Sequence, residues 1–134
     1  MSNAKAVVYA RKSIDEVGVQ ENSIFLQIDE CGAFCASNGL EVIKVFKEEG
    51  VSGTALLSNC TQLLGAIEAV ASCKAKYLVI HKQDRISRSI AKFFQVKAML
   101  SEIGAQLVIV ENGLENERDN RFREVLKGLI DEET

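Results

Sequence analysis

The chain has 134 residues, a formal net charge of −3 and a pI near 5.3, with 47% hydrophobic and 26% charged residues. This fits one soluble globular domain with a core of its own, and no apolar run reaches membrane-span length or follows a signal-peptide pattern. The acidic balance excludes a domain that grips nucleic acid through its whole surface, so any anion chemistry must be local.

Taken in chain order, "AKAVVYA" (4–10) is a continuous apolar strand of the kind buried on both faces of a parallel sheet. "NSIFLQIDECGAFCASNG" (22–39) places Ile24, Phe25, Ile28, Cys31 and Cys35 at helical spacing, with Asn22 or Ser23 able to cap its start and Asn38-Gly39 its end. "LEVIKVFKE" (40–48) is a partly alternating strand, and "GVSGTALLSN" (50–59) a loop of glycines and small polar residues. "CTQLLGAIEAVAS" (60–72) is a helix presenting Leu63, Leu64, Ile67 and Val70. "KYLVIHK" (76–82) is a buried strand. "SRSIAKFFQVKAMLSEIG" (87–104) is a helix with Ile90, Phe93, Phe94, Leu100 and Ile103 inward, and "AQLVIVE" (105–111) a fourth strand.

This alternation predicts an α/β domain of three layers, with a mostly parallel four- to five-stranded central sheet and helices on both faces. Ligands of such folds bind at the carboxyl ends of the strands, where residues 11–16, 48–59 and 82–88 fall. In "DNRFREVLKGLIDEE" (119–133), Phe122, Val125, Leu126, Leu129 and Ile130 form an apolar helical stripe that runs almost to the end of the chain. The expected organisation is therefore a domain over 1–118 and, over 119–134, the start of a long helix cut from a larger protein. Cys31, Cys35, Cys60 and Cys73 contain no C-x-x-C pair and read as reduced, mostly buried small hydrophobes, which implies a cytoplasmic location.

The six arginines are Arg11, Arg85, Arg88, Arg118, Arg121 and Arg123, and none lies between positions 12 and 84. Tyr9, Arg11 and Ser13 alternate by two and share one side of an extended strand. After the third strand, "HKQDRISRS" supplies Asp84, Arg85 and Arg88, with Asp84 and Arg88 one turn apart if a helix starts there. Two strand ends would then join one hydroxyl, three guanidiniums and one carboxylate. A serine hydroxyl is a weak nucleophile until it is activated or the charge formed in attack is stabilised. Guanidiniums do the latter around a phosphodiester by bidentate contact with its non-bridging oxygens. The bland reading keeps the arginines solvated and Ser13 a cap. The chain carries no G-x-S-x-G elbow and no P-loop, and its single His81 sits in an apolar strand pattern facing the sheet.

"YARKS", then "GVSGT", then "KQDRISRS" together resemble the catalytic domain of the serine recombinases, the resolvase/invertase and large serine integrase family. The resemblance covers nearly the whole chain. It implies a resolvase-like domain in which Ser13 is the nucleophile that joins a DNA 5′ phosphate, while Arg11, Arg85 and Arg88 bind phosphate and stabilise the transition state. It implies further that Asp84 orients an arginine and assists proton transfer, and that Gln27 builds the site from the first helix. Ser52 is the matching loop serine, Tyr9 packs beside the site, and Glu48 stands where the family usually has an Asp. The implied partners are double-stranded DNA and further copies of the chain, a dimer on each site and a tetramer at synapsis. No metal or other cofactor is expected, since the arginines supply the positive charge.

Ile86 and Gln83 depart mildly from the family pattern. The larger departure is the loop "ALLSNCTQL", where the family commonly carries an arginine and this chain has none. Loss of one guanidinium at a phosphoryl site costs roughly 10²–10³ in rate. Lys47, Lys82 or an arginine of the 118–123 cluster could substitute. The alternatives are a recombinase-like domain kept for binding and assembly without cleavage, or a small phosphate- or nucleotide-binding α/β domain. The last lacks the Gly-rich strand-to-helix turn that usually cradles phosphates.

Overall fold

Ala6 to Ala10 are buried at every position, as a strand covered on both faces must be. The computed structural model describes residues 4–12, 23–51, 55–87 and 89–112. This apolar run forms β1 (Ala4–Lys12), which lies inside a four-stranded, all-parallel sheet with β2 (Leu40–Glu49), β3 (Tyr77–Ile80) and β4 (Gln106–Ile109). The order is β2-β1-β3-β4. The chain moves to one side of β1 to make β2 and to the other to make β3 and β4. The carboxyl ends of β1 and β3 thus form the reversal point at which open α/β sheets bind ligands.

Alternation along β1 divides the core. Ala6 and Val8 pack with Cys31 and Cys35 of α1 (Ile24–Ser37) on one face. Val7 and Tyr9 pack on the other with Leu63, Ile67 and Val70 of α2 (Thr61–Ser72) and Phe93, Val96 and Leu100 of α3 (Ile90–Glu102). The three expected layers are present. α1 starts at a Ser23 cap whose hydroxyl accepts from the Phe25 amide, and ends before Gly39, held at φ +68° where a Cβ would be strained.

Several boundaries and faces differ from expectation. α3 begins at Ile90 rather than at residue 87, because Gln83–Arg85 turn as a short 3₁₀ helix first. Asp84 therefore lies in that 3₁₀ turn and not in α3. Ile90, Phe25 and Ile103, expected inward, are exposed. In α3 the buried stripe instead runs through Lys92, Phe93, Val96 and Leu100. Phe25 lies under the Lys47 ammonium, 5.7 Å from its ring centroid. His81 follows β3 as a buried residue, with Nε2 paired to Glu30 of α1. Cys31, Cys35 and Cys60 are buried free thiols and Cys73 is half-buried. Burial, aided by Cys35 and Glu30, pushes the Cys31 thiol up to about 12, which keeps it inert. No helix among the described residues is long and apolar enough to cross a membrane. The expectations for Ser13, Ser52, Arg88 and the helix over 119–134 lie outside the described residues.

Candidate active site at the carboxyl ends of the strands

β1 extends past Val8, the last of its residues paired with β3, so the backbone of Arg11 has no strand beside it on that side. The Gln27 amide of α1 takes the strand's place. Its Oε1 accepts from the Arg11 N–H at 3.1 Å and its Nε2 donates to the Arg11 carbonyl at 2.9 Å. A fully buried glutamine that satisfies both groups fixes the direction in which β1 leaves the sheet.

The side chain of Arg11 is completely buried. Its Nε donates to the Arg85 carbonyl at 2.9 Å, Nη2 to the Asp84 carbonyl at 2.6 Å and Nη1 to the Val51 carbonyl at 2.8 Å. One guanidinium therefore fastens the turn after β3 and the loop after β2 to the end of β1. Arg85, 3% exposed, answers with Nη1 on the Arg11 carbonyl at 2.7 Å and Nε on the Asp84 carboxylate at 3.0 Å. Buried cations are tolerable only when hydrogen bonded in this way.

Burial of Asp84 raises its pKa, but the hydrogen bond and charge of Arg85, with Arg11 and Lys82, outweigh it and hold the carboxyl below the ordinary 3.8. Asp84 is thus an anion at neutral pH, suited to orienting Arg85. A carboxyl depressed in the folded state stabilises above its unfolded pKa, and the gain is lost as pH falls through the folded value. The stability difference between the native chain and Asp84→Asn should therefore be constant from pH 5 upward and shrink below about pH 4. Urea midpoints across that range measure it; a difference that grows on acidification would contradict the assignment.

Glu48, opposite Arg11 in the β1–β2 register, has a different position from a phosphate-facing acid. Its Oε1 accepts from the Tyr9 hydroxyl at 2.7 Å and its Oε2 from the Gln62 amide at 2.9 Å. Cys60 stands at the N-cap of α2, but its side chain makes no capping bond to the helix, so Glu48 caps that helix from the neighbouring strand. Burial, then the hydrogen bond and charge of Glu48, push the Tyr9 phenol far above its ordinary range, against a weaker pull from Arg11. Tyr9 remains a hydrogen-bond donor, and its role is to hold Glu48.

The structure brings Arg11, Gln27, Asp84 and Arg85 into direct contact, with Tyr9 and Glu48 as a second hydrogen-bonded pair. Lys47 does not join them: it pairs in register with Ala10, so alternation turns it to the α1 face, over Phe25. Two polar features went unnoticed in the sequence, the exposed Glu30 as partner of buried His81 and the buried Lys92. Lys92 could have been found, because Lys92, Val96 and Leu100 repeat at i, i+4, i+8. Among the described residues no group of three or more His, Cys, Asp or Glu is placed to hold a metal ion.

The family model described as Resolvase, N terminal domain, matches residues 6–133. Among curated proteins, none matches the sequence. Among solved structures, the N-terminal catalytic domain of TP901-1 integrase is similar at a TM-score of 0.74 and 22% identity, over 96% of this chain and 95% of that one. A resolvase family site-specific recombinase from Streptococcus pneumoniae gives 0.66 and 22%, over 96% and 97%. The C-terminal catalytic domain of ISC1926 TnpA, an IS607-like serine recombinase, gives 0.65 and 23%, over 90% and 80%. At these identities the structures establish the shared fold.

Proposed function

This chain belongs to the resolvase N-terminal domain family and is the catalytic domain of a site-specific DNA recombinase, and from that premise we propose that Ser13 is its nucleophile. Ser13 Oγ attacks the phosphorus of a DNA phosphodiester. The Oγ–P bond forms as the bond to the 3′ oxygen breaks, Oγ gives up its proton and the 3′ oxygen gains one. The product is a 5′-phosphoserine and a free 3′ hydroxyl. After strand exchange a 3′ hydroxyl attacks the phosphoserine and restores both DNA and serine. One phosphate ester is exchanged for another at each step, so no ATP is needed.

The observation that carries this reading is the prebuilt arginine pair two residues from Ser13. Arg11 and Arg85 are buried, mutually bonded through the Arg11 carbonyl and oriented by the Asp84 carboxylate. A phosphate beside them meets positive charge that needs no reorganisation when the pentavalent transition state forms. Arg88 and Ser52 are assigned to the same phosphate. The working assembly on this reading is a cytoplasmic homodimer on each double-stranded DNA site and a tetramer at synapsis.

The test uses full-length protein with DNA carrying its own recombination site, resolved by denaturing gel and peptide mass spectrometry. DNA attached to the peptide containing Ser13 is the expected result. Site binding without any adduct would favour an assembly-only domain, for which the arginine-free segment 55–60 and the turned-away Lys47 speak.

A further inference from the structure

Lys92 is a buried cation that the reaction as described does not use. It lies in the first turn of α3, is 8% exposed, and its Nζ donates to the Ala55 carbonyl at 2.7 Å and to Cys60 Sγ at 3.2 Å. Among the described residues no carboxylate pairs with it. An ammonium at that place is disfavoured twice, by burial and by the positive end of the α3 dipole. A methionine would fill the same space at neither cost. Core packing is therefore not what the charge contributes.

Its partners indicate what it contributes. Val51 and Ala55 bound the short segment that contains Ser52. Arg11 holds the carbonyl of Val51 at 2.8 Å, and Lys92 holds that of Ala55 at 2.7 Å. Two buried cations, one from the end of β1 and one from the start of α3, thus grip the two ends of that loop. Lys92 also joins α3, which follows the Asp84–Arg85 turn, to the Cys60 N-cap of α2. The contact links directly two of the three blocks that make the site.

We propose that Lys92 is a positioning residue for recombination, fastening Ala55 and Cys60, which follow β2 in the chain, to the start of α3. The proposal rests on the Ser13 reading above. It assigns the Ala55 contact a role in the rate of the chemical step rather than in DNA affinity, because the ammonium is buried and a small misplacement of a site loop slows chemistry far more than binding.

The experiment compares full-length native protein, Lys92→Met, Lys92→Arg and Ser13→Ala on saturating site DNA. It reads the single-turnover rate of covalent adduct formation, the site affinity, and amide exchange over 51–60. Lys92→Met should slow adduct formation by about 10- to 100-fold with affinity within about twofold, and raise exchange over 51–60 but not over α1. Lys92→Arg, which keeps a cationic donor, should recover most of the rate. A Lys92→Met rate within about threefold of native, or unchanged exchange over 51–60, overturns the clamp. If Lys92→Met does not fold, Lys92→Gln is judged by the same two thresholds. An adduct formed by Ser13→Ala would mark failure of the nucleophile assignment, and the exchange measurement would still decide the clamp.

Discussion

Arg11→Lys is expected to lower unfolding stability by roughly 3–6 kcal/mol, more than an arginine-to-lysine exchange usually does. The guanidinium donates to three backbone carbonyls from two loops, those of Val51, Asp84 and Arg85. An ammonium is a point donor on a flexible stem and can meet one of them in good geometry. Each lost charge-assisted bond to a buried acceptor costs about 1.5–3 kcal/mol, and two would be lost. Full burial of the side chain leaves no water to take the vacated places. Urea unfolding measures the effect, and a loss below about 1 kcal/mol would mean that the two loops are held by something else. On the proposed mechanism adduct formation should fall with stability, because the same bonds hold Arg85 in place.

Ser13→Ala should abolish covalent attachment to DNA while leaving site binding within about twofold, since removing a nucleophile commonly costs 10⁴-fold or more in rate. The separation of the two readouts follows from chemistry. In the proposed mechanism Oγ forms the bond to phosphorus, whereas affinity comes from phosphate contacts spread over the whole bound protein. Urea unfolding of the variant separates the two causes: a midpoint at the native value assigns a lost adduct to chemistry rather than to folding. Adduct formation at an undiminished level would end the assignment of Ser13. A parallel fall in binding would move Ser13 from the chemical step to phosphate recognition.

The ordered blocks at residues 9–13, 50–54 and 83–88 were readable because each ends a strand or its connecting loop, and strand ends can be placed from apolar runs alone. Gln27 and Glu48 were singled out by resemblance, and their physical tasks were not foreseen. Gln27 replaces a missing strand beside Arg11, and Glu48 caps a helix from a strand fourteen residues upstream of Gln62. Arg11 and Arg85 were expected to face phosphate, and both prove to be buried in bonds to the backbone as well. Ile90 was expected inward in a helix starting at residue 87, whereas α3 starts at Ile90 and its buried stripe runs through Lys92, Phe93, Val96 and Leu100.

By itself, then, the sequence determined the alternation of strands and helices, the buried character of β1 and the end of the sheet at which chemistry gathers. These follow from local periodicity, which is written within a few residues. The tertiary structure alone decided that β1 lies between β2 and β3, that one arginine side chain ties together carbonyls up to 74 positions away, and that Lys92 reaches the Ala55 carbonyl. The reason is physical. A backbone carbonyl looks the same in every residue, so which buried carbonyls need a donor, and which side chain reaches them, exists only once distant segments have been folded against one another.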